Sequence, residues 1–137
     1  MALQTYRDLM VWQKSMDLVE IYRLATLFPQ AEVFGLTSQI RRAVVSIPAN
    51  IAEGYGHLHR GNYLRHLSIA RGSLLEVETL LQIAVRLDYL SREQAKPAWG
   101  SLQEVGRVMN RLIQSLEKSD QKPGSKNQKL DESAQEE

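Results

Sequence analysis

Three histidines, His57, His59 and His66, lie within a short stretch of one acid, Glu53. Imidazole mixed with carboxylate is the material of metal centres and of general acid–base sites. A metal needs a convergent ligand set; His57-Leu58-His59 with His66 could in principle bind one, but a local His-x-His without a defined third ligand is a weak signal beside structural or surface histidines. Glu53 and His57 are one helical turn apart, but Gly54 and Gly56 fall between them and argue against continuous helix there. The paired Glu-x-x-His motifs of a di-iron bundle are absent. Gly54-x-Gly56 is followed by no Gly-Lys-Ser and stands in no strand-to-helix context, so it is not a phosphate loop. Ser46 and Ser73 have no base partner recognisable in the sequence. The reading is a protein without catalytic residues, metal or cofactor.

These residues must be positioned by whatever elements a chain of 137 residues can build, and that length suits one domain. The absence of cysteine excludes a disulfide scaffold, a zinc ribbon and a thiol nucleophile, and makes the cytoplasm the expected compartment. No apolar run approaches the roughly 18 residues of a membrane span, and Met1 to Asp8 lacks the regions of a signal peptide. Residues 119–137 contain only Leu130 and Ala134 as apolar side chains, and composition predicts a disordered polar tail. With three lysines against five acids there, residues 1–118 keep 14 basic against 11 acidic residues, a net +3.

Within residues 1–118 four blocks repeat apolar residues at alternating three- and four-residue spacing, the signature of amphipathic helix. The first runs from about Tyr6 to Phe28 through Leu9, Trp12, Met16, Val19 and Tyr22, with Thr5-x-x-Asp8 as its capping box. The second carries Leu36, Ile40, Ala43, Val44, Ile47 and Ile51, and ends at Gly54-Tyr55-Gly56. The third places Leu67, Ala70, Leu74, Val77, Leu81 and Ala84, and the fourth, capped by Ser91, places Leu102, Val105, Met109, Leu112 and Leu116. No strand pattern persists. The expected fold is all-α, an antiparallel up-down-up-down four-helix bundle over 1–118. Pro48 should kink the second helix or end its first half, and Gly72 and Gly106 point to close helix approach or to tolerated imperfection.

Charge is distributed unevenly. Between Thr37 and Gly72 stand Arg41, Arg42, Arg60, Arg65 and Arg71, with Glu53 the only acid, and Tyr55 and Tyr63 interleave with them. Guanidinium groups bind phosphate in bidentate fashion and aromatic rings stack on bases, so this is the candidate nucleic-acid surface. The alternative is a solvated face, or arginines paired with Glu20, Glu76 or Glu104. On the second helix Gln39, Arg42, Ser46, Asn50 and Glu53 share one stripe, either a network that helps satisfy carbonyls freed by Pro48 or a wet flank. Val45, Ala49 and Ala52 lie opposite the core and form the candidate oligomer interface.

The segment Gly35-Leu36-Thr37-Ser38-Gln39-Ile40-Arg41-Arg42-Ala43, followed by Ser46-Ile47-Pro48-Ala49-Asn50-Ile51-Ala52-Glu53-Gly54, resembles the signature of the bacterial four-helix-bundle proteins named for genes found in intervening sequences of large-subunit ribosomal RNA. The resemblance extends from Asp8-Leu9-x-Val11-Trp12-Gln13-Lys14, through Phe28-Pro29 and Glu32, to Ile69-Ala70-Arg71-Gly72-Ser73-Leu74-x-Glu76. It implies a small cytosolic, non-enzymatic bundle without cofactor that assembles as a ring-like homopentamer. A similar pentameric bundle is the accessory variability protein of diversity-generating retroelements, which acts beside a reverse transcriptase; this sequence resembles the ribosomal-intervening-sequence branch more closely, so assistance to a reverse transcriptase is one option and to an RNA element another. Ser46, Pro48, Asn50, Glu53 and Gly54 match the signature, while the arginines are named from charge distribution alone. The functional expectation is a nucleic-acid-binding accessory protein that presents the arginine surface in several copies; the alternative is an oligomeric scaffold for a protein partner.

Overall fold

The computed structural model describes residues 3–120, and the domain they form is a helical bundle with no strand among the described residues. Helices α1 (Met10–Asp17), α2 (Val19–Leu24), α3 (Leu36–Tyr55), α4 (Arg60–Arg86) and α5 (Arg92–Asp120) are accompanied by single 3-10 turns at Tyr6–Asp8, Ala25–Leu27 and Gln30–Glu32. Of the predicted tail, residues 121–137 lie outside the described residues. Its first two predicted residues, Ser119 and Asp120, still belong to α5.

The largest departure from the sequence reading is in the first block, which is two short helices rather than one. The predicted capping box forms, with Arg7 N donating to Thr5 Oγ1 at 2.9 Å and Thr5 N donating to Asp8 Oδ2 at 3.1 Å. It closes the turn Tyr6–Asp8, however, and Leu9 is extended before α1 begins. At the other end Ser15 is buried and its hydroxyl donates to the Trp12 carbonyl at 2.8 Å, while Leu18 N donates to Ser15 O at 3.1 Å. Three-residue bonds of this kind tighten the turn and interrupt the α ladder. The face that turns inward is then Leu9, Val11, Ser15, Leu18, Ile21, Ala25 and Phe28. The predicted Met16, Val19 and Tyr22 are instead 42%, 44% and 43% exposed.

The other three blocks fold as their spacing predicts. Every apolar position named for α3, α4 and α5 is buried. Pro48, itself buried, does not end the helix: α3 continues through it to Tyr55. Ser91 caps α5 by a reciprocal pair, Gln94 N donating to Ser91 Oγ at 3.0 Å and Ser91 N to Gln94 Oε1 at 2.8 Å. Helix α4 stops at a Schellman turn, in which Tyr89 N donates to Ala84 O and Asp88 N to Val85 O, with Asp88 at φ 61°. Gly106 does allow close approach, a Cβ there meeting Leu74 Cδ2 at 3.3 Å, but Gly72 has nothing within 4 Å and marks no contact.

Helix α3 packs along α4, α4 against α5, and α1 against both α3 and α5. The entry to α3 is fixed by Glu32. Its Oε1 accepts from Leu36 N at 3.1 Å and its Oε2 from Tyr89 Oη at 2.7 Å, so one carboxylate joins the start of α3 to the end of α4.

Candidate functional site

The polar stripe of α3 becomes half of a seam between α3 and α4. Ser46 Oγ lies 2.9 Å from Ser73 Oγ of α4. Asn50 Nδ2 donates to Ser46 O at 2.8 Å and to Ser46 Oγ at 3.0 Å, which turns the amide so that Oδ1 faces His66 Nδ1 at 3.2 Å. His66 is buried, Ser46, Asn50 and Ser73 are half-buried, and the seam therefore continues from core to surface. The side-chain bond to backbone goes to the Ser46 carbonyl. The carbonyl left without its helical donor by Pro48 is that of Val44, four residues back, so the stripe acts across helices rather than as repair for the proline.

The seam exists because Gly54 lets the helices meet. A Cβ on Gly54 would stand 2.8 Å from His66 Cβ and 3.2 Å from Tyr63 Cδ1. In the sequence Gly54 reads as a helix stop, yet it is inside α3 and the cap falls at Gly56, whose N–H bonds Ala52 O at 3.2 Å. Beyond the cap, His57 comes back over His66, the two rings stacked with centroids 4.8 Å apart and planes 16° from parallel. Glu53 Oε2 lies 4.0 Å from His66 Nδ1. His57 and Glu53 are both exposed, so this group is open to solvent rather than enclosed.

The predicted nucleic-acid residues are not equivalent. Arg42, Arg65 and Arg71 are exposed, and Arg42 donates to Ser38 Oγ at 3.3 Å within its own helix. Arg41 is half-buried, donating through Nε to Tyr22 O at 3.1 Å with its guanidinium 4.6 Å from the Tyr22 ring centre. Arg60 is half-buried at the first turn of α4. Because Gly54 meets Tyr63 and His66, Arg60 and Arg65 sit at the Gly54 end, and Arg41 and Arg42 lie about 20 Å away along α3 at 1.5 Å per residue. Of the acids considered as partners, Glu20 pairs with Arg23 at 3.8 Å, and Glu104 pairs with Lys14 at 2.6 Å and Arg107 at 3.7 Å.

Tyr63 requires a correction. It is buried, 4% exposed, in register with Leu67, Ala70 and Leu74, and its ring is a core side chain with no face to offer a base. Tyr55 is half-buried, edge-on to Tyr63 at 6.1 Å. Val45 and Ala49 are exposed and Ala52 half-exposed on the outer face of α3. Val45 shares a shallow groove with Tyr22, Val33 and Arg41.

A family model described as 23S rRNA-intervening sequence protein matches residues 7–111. The chain belongs to that family. The matched span contains α1 to α4, most of α5 and every residue of the seam. Among solved structures, the intervening-sequence chain is similar to a protein with unknown function from the S23 ribosomal protein family of Bacteroides thetaiotaomicron. The two are 28% identical with a TM-score of 0.70, over 76% of this chain and 98% of that one. No curated protein matches significantly. Neither description names an enzymatic activity. Among the described residues no helix is long and apolar enough to cross a membrane.

Sequence reasoning found the α3 half of the seam and missed the α4 half; it named Glu53, His57 and His66 as ligand types but set them aside because their spacing defines no convergent set. A signal for the α4 half was present: His66 and Ser73 are seven residues apart and therefore share a helix face, as Ser46 and Glu53 do on α3.

Proposed function

We propose that this intervening-sequence protein is a non-enzymatic, cytoplasmic accessory protein that binds nucleic acid, with RNA the first candidate, through arginines displayed in several copies on a homo-oligomer. The observation that carries the reading is the exposure of Arg42, Arg65 and Arg71 on α3 and α4, while Glu20 and Glu104 are engaged by other cations. The family description refers to 23S rRNA, a hint that puts RNA ahead of DNA as the nucleic acid to test. An antiparallel arrangement of α3 and α4 is supported by the pairs Ser46–Ser73, Asn50–His66 and Gly54–Tyr63, which step back along α4 as α3 advances. The exposed Val45 and Ala49, with Ala52 beside them, suit a subunit contact in a ring, and the pentamer and the place beside a reverse transcriptase are carried from the resemblance. Each phosphate contact is weak alone, and repetition around an oligomer would multiply them.

The second reading, a scaffold that docks a protein partner, is favoured by Phe34 and Leu58, which are 95% and 94% exposed.

The test is solution mass by light scattering on protein stripped of nucleic acid at high salt, followed by titration of labelled single-stranded RNA across a salt series. A multiple of the monomer mass with steeply salt-dependent binding is expected. The same mass without binding would transfer the reading to the scaffold, and a monomer would remove the avidity argument.

A further inference from the structure

The end of α3 and the start of α4 bring together more than the seam needs. Glu53, His57 and His66 each present one ligand-type atom, and the three atoms lie within 4.8 Å of one another. Asn50, Glu53 and His57 are spaced three and four residues apart, one face of α3 carried past its cap, while His66 approaches from α4 across Gly54.

Atoms bound to one divalent ion at about 2.0–2.2 Å stand roughly 3–3.5 Å from each other. Around His66 Nδ1 that spacing is already nearly met, by Asn50 Oδ1 at 3.2 Å and by Glu53 Oε2 at 4.0 Å. His66 is buried and held in the seam, so it is the fixed member. The side chain of Glu53 is 63% exposed and His57 follows the helix end, so these two can move the remaining distance by side-chain rotation. The orientation of Asn50 is also set: its Nδ2 is engaged by Ser46, which leaves an oxygen and not an amide N–H facing the histidine.

We propose that Glu53, His57 and His66 bind one divalent transition-metal ion, with Asn50 Oδ1 as a weak additional ligand. Two imidazoles with a carboxylate select zinc, nickel, cobalt or copper over magnesium and calcium, which take oxygen-only sets. Because Asn50 Oδ1 can only accept, its approach to His66 Nδ1 at 3.2 Å calls for the ring tautomer protonated on Nδ1 in the metal-free protein. When the ion binds, the N–H bond at Nδ1 is broken and Nε2 takes up a proton in its place, so the neutral ring changes tautomer with no net proton released and the Nδ1 lone pair forms the bond to the ion. The ion clips the C-terminal end of α3 to the second turn of α4 across residues 57–59. The site stands independently of the RNA reading, since no exposed arginine takes part in it.

The experiment uses the full chain, without a histidine tag and stripped of metal, titrated with Co²⁺ followed by visible absorption and with Zn²⁺ followed by calorimetry and thermal melting. One ion per chain, tetrahedral-type cobalt bands and a melting temperature that rises with zinc are expected. His57→Ala and Glu53→Gln, both at exposed positions, should each weaken binding at least tenfold, and His59→Ala should leave it unchanged. The proposal is overturned by wild-type protein that binds only at millimolar metal, by undiminished binding in His57→Ala, or by equal loss in His59→Ala, which would mean a loop chelate of His57 and His59.

Discussion

A Cβ added to Gly54 would stand 2.8 Å from the Cβ of His66, closer than two such atoms approach. The neighbours have no room to give. His66 is tied to Asn50, and the other nearby atoms are the Tyr63 ring and the Tyr63 carbonyl, the latter at 3.3 Å on helix backbone. Alanine would raise helix propensity by about 1 kcal/mol, whereas forced overpacking costs about 1–3 kcal/mol, and separation of α3 from α4 also disturbs the seam. Gly54→Ala should therefore destabilise the fold by about 1–2 kcal/mol in chemical denaturation. Gly72→Ala provides the opposite sign, because nothing lies within 4 Å of a Cβ there, and it should stabilise by up to about 1 kcal/mol. Equal effects of the two substitutions would refute the close-approach argument.

The contrast between these glycines shows what a one-dimensional pattern carries. Helix periodicity is a local property, so α3, α4 and α5 and their buried faces are legible. In the first block two lines compete, Leu9-Trp12-Met16-Val19-Tyr22 and Val11-Ser15-Leu18-Ile21-Ala25. The second, joined by Leu9, is the buried one, and Ser15 disguises it because a hydroxyl in the core is satisfied only after folding supplies the Trp12 carbonyl. Tyr63 groups in sequence with the arginines beside it, although its spacing to Leu67, Ala70 and Leu74 already places it on the core line. The meeting of Ser46 with Ser73 and of Glu53 with His57 and His66 depends on the register between two helices. Register is set by contacts such as Gly54 against His66, which no single helix pattern encodes.

Asp88 occupies the left-handed position of the Schellman turn after α4, at φ 61°. That conformation costs an L-residue roughly 1–2 kcal/mol, less for Asp than for most, and glycine avoids the cost while adding freedom to the unfolded chain. Asp88→Gly should stabilise by about 0.5–1 kcal/mol and Asp88→Val should destabilise by more than about 1 kcal/mol. Thermal melts of the two variants check the ordering, and a valine variant as stable as wild type would mean that the turn rearranges.

The Glu32–Tyr89 link makes stability depend on pH at both ends. The Leu36 N–H, and then the Tyr89 hydroxyl, hold the Glu32 carboxyl below the ordinary carboxylate value, and the same bond holds the Tyr89 phenol above its ordinary value. Glu32 thus contributes fully above the unfolded-chain value of about 4.3, and the contribution is lost as pH falls through the lower folded value. Tyr89 contributes fully below about 10, and its share is lost as pH rises through the higher folded value. Asp8, held down by the N–H groups of Gln4 and Thr5, and Glu104, held down by Lys14, share the acid limb. Glu32→Gln should be less stable than wild type at neutral pH, with the gap narrowing as pH drops below about 4 in a denaturation series. A gap of constant size down to low pH would show that the carboxylate charge contributes nothing there.

The arginines should separate by function because the fold treats them differently. Arg42 and Arg65 are exposed, whereas Arg41 is committed to the Tyr22 carbonyl and ring. Each phosphate of single-stranded RNA that a cation neutralises adds about 0.7 to the slope of log affinity against log salt, and it acts on all sequences alike. Arg42→Ala and Arg65→Ala should each weaken RNA binding uniformly across sequences and lower the slope by about that amount for every phosphate left unneutralised. Arg41→Ala should leave the slope nearly unchanged and show its effect in stability, because its removal strips the α2–α3 contact rather than a free cation. Fluorescence anisotropy at several salt concentrations, with the oligomer mass checked for every variant, distinguishes the two. A slope that falls for Arg41→Ala and not for Arg65→Ala would confine the interface to the groove that holds Arg41 and Arg42 and remove the Gly54 end of α4 from it.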